Sequence, residues 1–218
     1  MQHSVRRVLR YLPMKRQALQ LIRRLPNRLW FSQIYHRGLW HDQETVSGCG
    51  STLEFTASLR QSLAKLLREL NVHRIVDAGC GDFNWMRHVD LSGIDYIGVD
   101  VVPRLVRELK KCYTAPKRQF LAGDITRHLP RCDLVLCRHV MIHLPNRDIL
   151  RFFKAIRGSG ARYLLATSAP AVSCNPDIWR GSFRLINLER SPFNLPKPSR
   201  ILMDQNVQLG LWETKDIQ

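Results

Sequence analysis

The sequence predicts an α/β fold, a mostly parallel sheet covered by helices on both faces, and three observations carry that prediction. Five short apolar runs, around residues 75–78, 94–99, 119–122, 134–137 and 163–168, alternate with segments of helical periodicity, the pattern of a sheet built from βαβ units. The first run ends in Asp77-Ala78-Gly79-Cys80-Gly81, where two glycines one residue apart mark a tight turn that lets a ligand come close to the backbone. Asp77, Asp100 and Asp124 fall at the carboxyl ends of the first three runs, the edge at which such sheets bind ligands. Together they read as a nucleotide-type site.

The 218 residues suffice for one domain with a full core and a modest appendage. Of the net charge of +16, residues 1–41 supply nine (Arg6, Arg7, Arg10, Lys15, Arg16, Arg23, Arg24, Arg28 and Arg37) with no acid among them. The excess therefore belongs chiefly to an N-terminal arm, and the chain divides into a basic amphipathic arm (1–41) and a folded domain (42–218). Val5, Val8, Leu9 and Leu12 form a helical stripe that Pro13 interrupts; Ala18, Leu19, Ile22 and Leu25 form a second that ends at Pro26. Such an arm suits an anionic membrane surface, nucleic-acid phosphates or organellar targeting, with a helical extension packed on the domain as the alternative. Peripheral membrane contact is the leading functional expectation among these, with nucleic acid behind it. The six cysteines form no CxxC pair and no zinc spacing, which points to reduced thiols in a cytoplasmic protein without a metal. No apolar run is long enough to span a bilayer, and arginines break any signal-peptide core.

Taken in order, Trp30, Phe31, Tyr35 and Trp40 lead into Ser47-Gly48-Cys49-Gly50-Ser51. Ser51 and Glu54 have capping-box spacing, and the leucines from Leu53 to Leu70 predict the helix they would start. The glycine turn follows the first strand. A dinucleotide fingerprint needs a third glycine where Asn84 stands, beside the bulky Trp85, which argues against NAD. The second strand ends in Asp100, about twenty residues after the glycines, the separation at which a carboxylate meets ribose hydroxyls in Rossmann-like folds. Pro103 starts a helix that runs to about Tyr113, and the third strand ends at Asp124-Ile125. The fourth runs into Arg138-His139-Val140-Met141-Ile142-His143, followed by a helix from Pro145 and Asn146 to about Gly158. After the fifth strand, residues 170–198 carry five prolines and little helical periodicity; a loop of that length predicts a substrate cover, with Trp179, Arg180, Asn187, Phe193 and Asn194 as contacts. A structural Pro-rich crossover is the competing reading. Residues 200–203 and 209–212 predict an antiparallel hairpin.

The acid two residues before Gly-Cys-Gly, with Asp100 and Asp124 in step behind it, resembles the motif set of the class I S-adenosylmethionine (SAM) methyltransferases over about residues 47–215. The resemblance implies a Rossmann-like seven-stranded sheet closed by the C-terminal hairpin, SAM as cofactor, direct displacement at the methyl group and no metal. It places Asp77, Gly79, Cys80, Gly81, Asp100 and Arg138 on the cofactor, with the Asp124 carboxylate on the adenine amino group and the Ile125 amide on the ring. In several subgroups of that family an aromatic, glycine-serine segment folds over the cofactor as a lid, which makes Trp40 and Glu54 site candidates. Residues just past the fourth strand face the methyl group, so His143 and then His139 are the candidate bases: a histidine of pKa about 6.5 can take a hydroxyl proton at neutral pH. Similar enzymes often carry an acid near position 139, where this chain departs.

The turn Cys137-Arg138-His139-Val140 is unlike the Pro-Pro-aromatic loop of amino methylation of bases, and Cys137 lacks the proline neighbour of a cytosine C5 nucleophile. The expected reaction is O-methylation of a small-molecule or saccharide hydroxyl. A structured-RNA methyltransferase using the arm, and a catalytically idle SAM-fold adaptor at a membrane, are the rivals.

Overall fold

The computed structural model describes residues 26–205 and 207–217; both predicted stripes of the basic arm, residues 5–12 and 18–25, lie outside the described residues. Seven strands form one sheet in the order β3-β2-β1-β4-β5-β7-β6. They are β1 (Arg74–Ala78), β2 (Asp95–Asp100), β3 (Arg118–Ala122), β4 (Leu134–Cys137), β5 (Tyr163–Ser168), β6 (Arg200–Asp204) and β7 (Val207–Glu213). The first five pair in parallel, and β7 runs antiparallel to both β5 and β6. Strand order reverses direction between β1 and β4, which opens a crevice at their carboxyl ends.

Among the described residues the α-helices are α1 (Asn27–His36), α2 (Ala57–Glu69), α3 (Pro103–Tyr113) and α4 (Asn146–Gly158). β4 is wholly apolar because both its faces are covered. Leu134 and Leu136 join the core layer that holds Leu59, Leu63 and Leu67 of α2 and Leu105, Val106 and Leu109 of α3. Val135 and Cys137 face the opposite layer, with Ile149, Phe152, Phe153 and Ile156 of α4. Full burial of each of those four α4 side chains contributes roughly 1.5–3 kcal/mol, enough to hold that helix on the sheet.

One local expectation is corrected. The Ser51/Glu54 capping box does not form: Ser51 ends a short 3-10 turn and α2 begins at Ala57 with no side-chain cap. The Ser51 amide instead donates to the Gly48 carbonyl (2.8 Å), and the neighbouring Leu53 and Phe55 amides donate to Glu44 Oε1 (2.8 Å) and Thr52 Oγ1 (3.3 Å). The 170–198 segment contains neither helix nor strand, yet buried asparagines fasten it. Asn175 Nδ2 donates to the carbonyls of Asn187 and Ser191 (2.9 Å each), and Asn187 Nδ2 to those of Pro170 and Val172 (3.1 and 2.9 Å). Among the described residues no helix is long and apolar enough to cross a membrane.

Candidate functional site

The carboxyl ends of β1 to β4 enclose a cleft of about 700 Å³. It is lined by Asp77, Gly79, Cys80 and Gly81 from the β1 turn, Asp100 from β2, Asp124 and Ile125 after β3, and Arg138, His139 and His143 after β4. Three strand tips and one glycine turn thus share a single cavity. Gly79 and Gly81 have φ of +87° and +57°, and a Cβ at either would lie 2.3 Å from Val140 Cγ2 or Ser47 Oγ respectively. Only glycine lets the backbone pass there.

Burial dominates the electrostatics of Asp77 and Asp100. Asp77 accepts the Tyr96 hydroxyl (2.8 Å), and its pKa rises to about 7 because burial outweighs that bond and the charge of Arg138. Asp100 accepts the amides of Gly81 (3.2 Å) and Val102 (2.9 Å), and burial raises it to about 6 despite them. Each Asp100 oxygen thus takes one backbone N–H and keeps acceptor capacity. Asp124 is gripped by the Thr126 amide (3.0 Å) and hydroxyl (2.7 Å) and by Asn27 Nδ2 from α1, 3.1 Å from both carboxylate oxygens.

Past β4 the geometry separates the predicted residues by role. The Arg138 guanidinium lines the cleft but is committed elsewhere. It binds the buried Asp204 at the end of β6 through Nε (2.8 Å) and a terminal nitrogen (2.9 Å), and donates to the Gly50 carbonyl (2.7 Å). His139 Nε2 lies 3.1 Å from the same carboxylate, so the neutral ring donates to Asp204 and burial keeps its pKa below the ordinary value. Burial alone would raise the Asp204 pKa, but the bonds from His139 and Arg138 lower it. Replacing Asp204 with alanine leaves a guanidinium only 4% exposed without its counter-charge, which should cost about 3–5 kcal/mol, roughly 6–20 °C in Tm for a domain of this size. Thermal and urea melts measure this; the double change Arg138→Met/Asp204→Leu should recover most of the loss, and a single-mutant loss below about 1 kcal/mol would contradict the buried-pair account.

His143 is placed differently. Its Nδ1 lies 2.8 Å from the Ser182 carbonyl, which can only accept, so Nδ1 carries the proton and Nε2 keeps its lone pair. Burial lowers its pKa to about 4, so the ring is neutral across the physiological range. Trp40 stacks on it at 4.5 Å between centroids, with Phe183 on another side at 6.0 Å.

The walls include residues that the sequence reading missed. Asp82, next to the glycine turn, ties down the segment that carries Trp40 by accepting from the Thr45 hydroxyl (2.6 Å), the Val46 amide (2.9 Å) and the Ser47 hydroxyl (3.2 Å). Asn27, Phe31 and Ile34 of α1 line the cleft, although the sequence assigned them to the arm. From the crossover, the Gly181 and Arg184 amides bond the His143 and Ile142 carbonyls (2.9 and 3.1 Å). That pairing turns Phe183 and Leu185 into the cleft and Arg184 and Ile186 inward. Their period-two alternation was the available signal, short and set among prolines.

Six predicted contacts do not line the cleft. Glu54 is exposed outside it. Asn187 is consumed by the carbonyls of its own crossover, and Phe193 is buried against Phe153, 6.0 Å between centroids. Asn194 is exposed in a left-handed turn at φ +50°. Trp179 and Arg180 line a separate hollow of about 340 Å³ beside Trp30 and Pro145, where Arg180 Nε also binds Asp148 (2.8 Å).

No curated protein matches the chain in sequence. Solved structures share its fold at low identity. Magnesium protoporphyrin IX methyltransferase from Synechocystis PCC 6803, with bound S-adenosylhomocysteine (SAH), aligns at TM-score 0.58 and 14% identity over 85% of this chain and 98% of its own. The Burkholderia thailandensis 1,6-didemethyltoxoflavin-N1-methyltransferase, also with SAH, aligns at 0.58 and 14% over 92% and 91%. The methyltransferase domain of bacterial CtHen1 aligns at 0.56 and 13% over 73% and 99%. A family model described as a methyltransferase domain matches residues 39–197, from just before Trp40 to the end of the crossover and so most of the chain. With its strand order, glycine turn and cleft agreeing, this chain belongs to the methyltransferase-domain family.

Proposed function

We propose that the chain moves the methyl group of SAM to a hydroxyl on a small, largely apolar acceptor. One observation carries this reading: a single cleft joins three acidic strand tips and a glycine turn to a histidine of fixed tautomer beneath an aromatic wall. SAM supplies an electrophilic methyl on a sulfonium and departs as SAH. In this reading the Gly79–Gly81 turn and Asp77 hold the amino-acid end. Asp100 offers its remaining lone pairs to the two ribose hydroxyls, and Asp124 with the Ile125 amide reads the adenine. The second hollow near Trp179 has no part in it.

His143 Nε2 takes the acceptor's hydroxyl proton as the new C–O bond forms and the C–S bond breaks, and the Nδ1–H bond to Ser182 keeps the ring in place. Most of the acceleration comes from alignment of acceptor, methyl and sulfur, with Trp40 and the Asp82-anchored segment closing one side. His139, bound to Asp204, supports that corner as structure. Phe31, Leu39, Phe183 and Leu185 make the acceptor side apolar, which favours an aromatic or other hydrophobic hydroxyl over a saccharide.

Methyl-labelled SAM incubated with the protein and with extracts separated into apolar small molecules, glycans, lipids and RNA tests the reading. Label is expected in the apolar small-molecule pool. Label in RNA or glycan would overturn the acceptor class, and none in any pool would overturn the transferase reading.

A further inference from the structure

The turn that carries His143 is held by one short stretch of the crossover. Three successive carbonyls of that turn, those of Ile142, His143 and Leu144, accept from the Arg184 amide (3.1 Å), the Gly181 amide (2.9 Å) and Arg184 Nη1 (2.9 Å). The His143 ring completes the set through Nδ1 on the Ser182 carbonyl (2.8 Å). Arg184 thus binds the chain on both sides of His143, and its other terminal nitrogen donates to Asn146 Oδ1 at the start of α4.

An arginine is a costly way to fasten a loop here. Arg184 is 7% exposed, its guanidinium bonds go to neutral oxygens, and its Nε has no partner among the described residues. Burial lowers its pKa to about 10, with Asp177 as the opposing charge, so it stays a cation at neutral pH. Elsewhere in the crossover Asn175 and Asn187 close the chain with neutral amides, without burying a charge. What the guanidinium adds is a planar fork that reaches two oxygens at once, and a positive charge beside the imidazole. His139 and Arg184 are the titratable or charged groups that act on His143, and both disfavour its protonation.

We infer that Arg184 is the positioning residue for the proton-accepting imidazole: its amide and guanidinium clamp the turn on either side of His143, so that Nδ1 stays on Ser182 and the Nε2 lone pair stays toward the acceptor. This rests on the reading that His143 takes the acceptor's proton. The charge of Arg184 additionally keeps the ring neutral as pH falls.

Nitrogen-15 NMR of the histidine rings in the full chain tests this, with the His143 signals assigned by their loss in His143→Phe. Wild type should show the Nδ1–H form alone and no titration of that ring above pH 5. Arg184→Met keeps the backbone bond and an unbranched side chain but removes the fork and the charge; it should show both tautomers and a midpoint raised by about one unit. Transfer from methyl-labelled SAM into the apolar small-molecule fraction should fall about tenfold or more, with KM for SAM and SAH affinity unchanged. Arg184→Lys, which restores the charge and one donor, should return the midpoint and recover part of the rate. A single Nδ1–H tautomer with transfer within about twofold of wild type in Arg184→Met would overturn the inference and leave Arg184 a fastener of the crossover. Should Arg184→Met fail to fold, an Nε2–H ring or a midpoint above about pH 6 in wild type overturns it instead. A tautomer change with wild-type transfer would remove His143 from the proton path, a failure of the proposed function with the clamp intact.

Discussion

Asp100→Ala should weaken SAH binding by about 100-fold or more with little change in melting temperature. Two hydroxyl hydrogen bonds to one carboxylate are worth about 1.5–3 kcal/mol each, and tenfold in affinity is about 1.4 kcal/mol. The Gly81 and Val102 amides hold that carboxylate at 3.2 and 2.9 Å, so it is positioned before any ligand arrives. The pH dependence has a definite sign. Burial raises the Asp100 pKa to about 6, and only the ionised form can accept from both hydroxyls. SAH affinity should therefore fall in two steps as pH drops, near 7 as Asp77 protonates and near 6 as Asp100 does, and only the lower step should vanish in Asp100→Asn. Calorimetry from pH 5 to 8 measures it; a wild-type affinity that rises toward pH 5 would contradict the assignment.

The second large effect is expected at His143. His143→Phe keeps a ring against Trp40 but removes Nε2; burial makes this imidazole a weaker base than the ordinary value near 6.5, so methyl transfer should fall by about 10²-fold, the low end of positioned proton transfer, while SAH affinity is unchanged. Because burial holds the imidazole near pKa 4, protonation of His143 does not limit turnover between pH 5 and 8. At saturating SAM, kcat should stay level down to about pH 5, while kcat/KM for SAM declines between about pH 7 and 6 with Asp77 and Asp100. Single-turnover rates across that range separate the two. A kcat limb near pH 6.5, or a His143→Phe variant of full activity, would remove the histidine from the proton path.

The sheet was readable because burial on both faces writes itself as apolar runs. Val135 and Cys137 face one layer and Leu134 and Leu136 the other, so no alternation interrupts β4. The glycine turn was readable because positive φ and close approach leave one residue type. What escaped was whatever depends on partners distant in the chain. Arg138 looked like a ligand contact, but its counter-charge is Asp204, 66 residues away in the C-terminal hairpin. Asn187 read as a loop amide free to meet substrate; with Asn175 it instead closes the crossover on itself. An amide in a loop has one sequence signature for both uses. The resemblance made the aromatic segment before Ser47 a lid candidate; the residue that ties that segment down is Asp82, in the turn beneath. Helix α1 escaped for another reason. Of its ten residues only Asn27 and Ile34 are buried, too sparse a stripe to register as a helix or as a wall of the cleft.

The most direct measurement is a crystal structure of the chain grown with SAH. One molecule is expected along the carboxyl ends of β1 to β3, with its ribose hydroxyls on Asp100, its base against Asp124, and its sulfur on the side of the cleft nearest His143. SAH bound elsewhere, or a base lying away from Asp124, would contradict it.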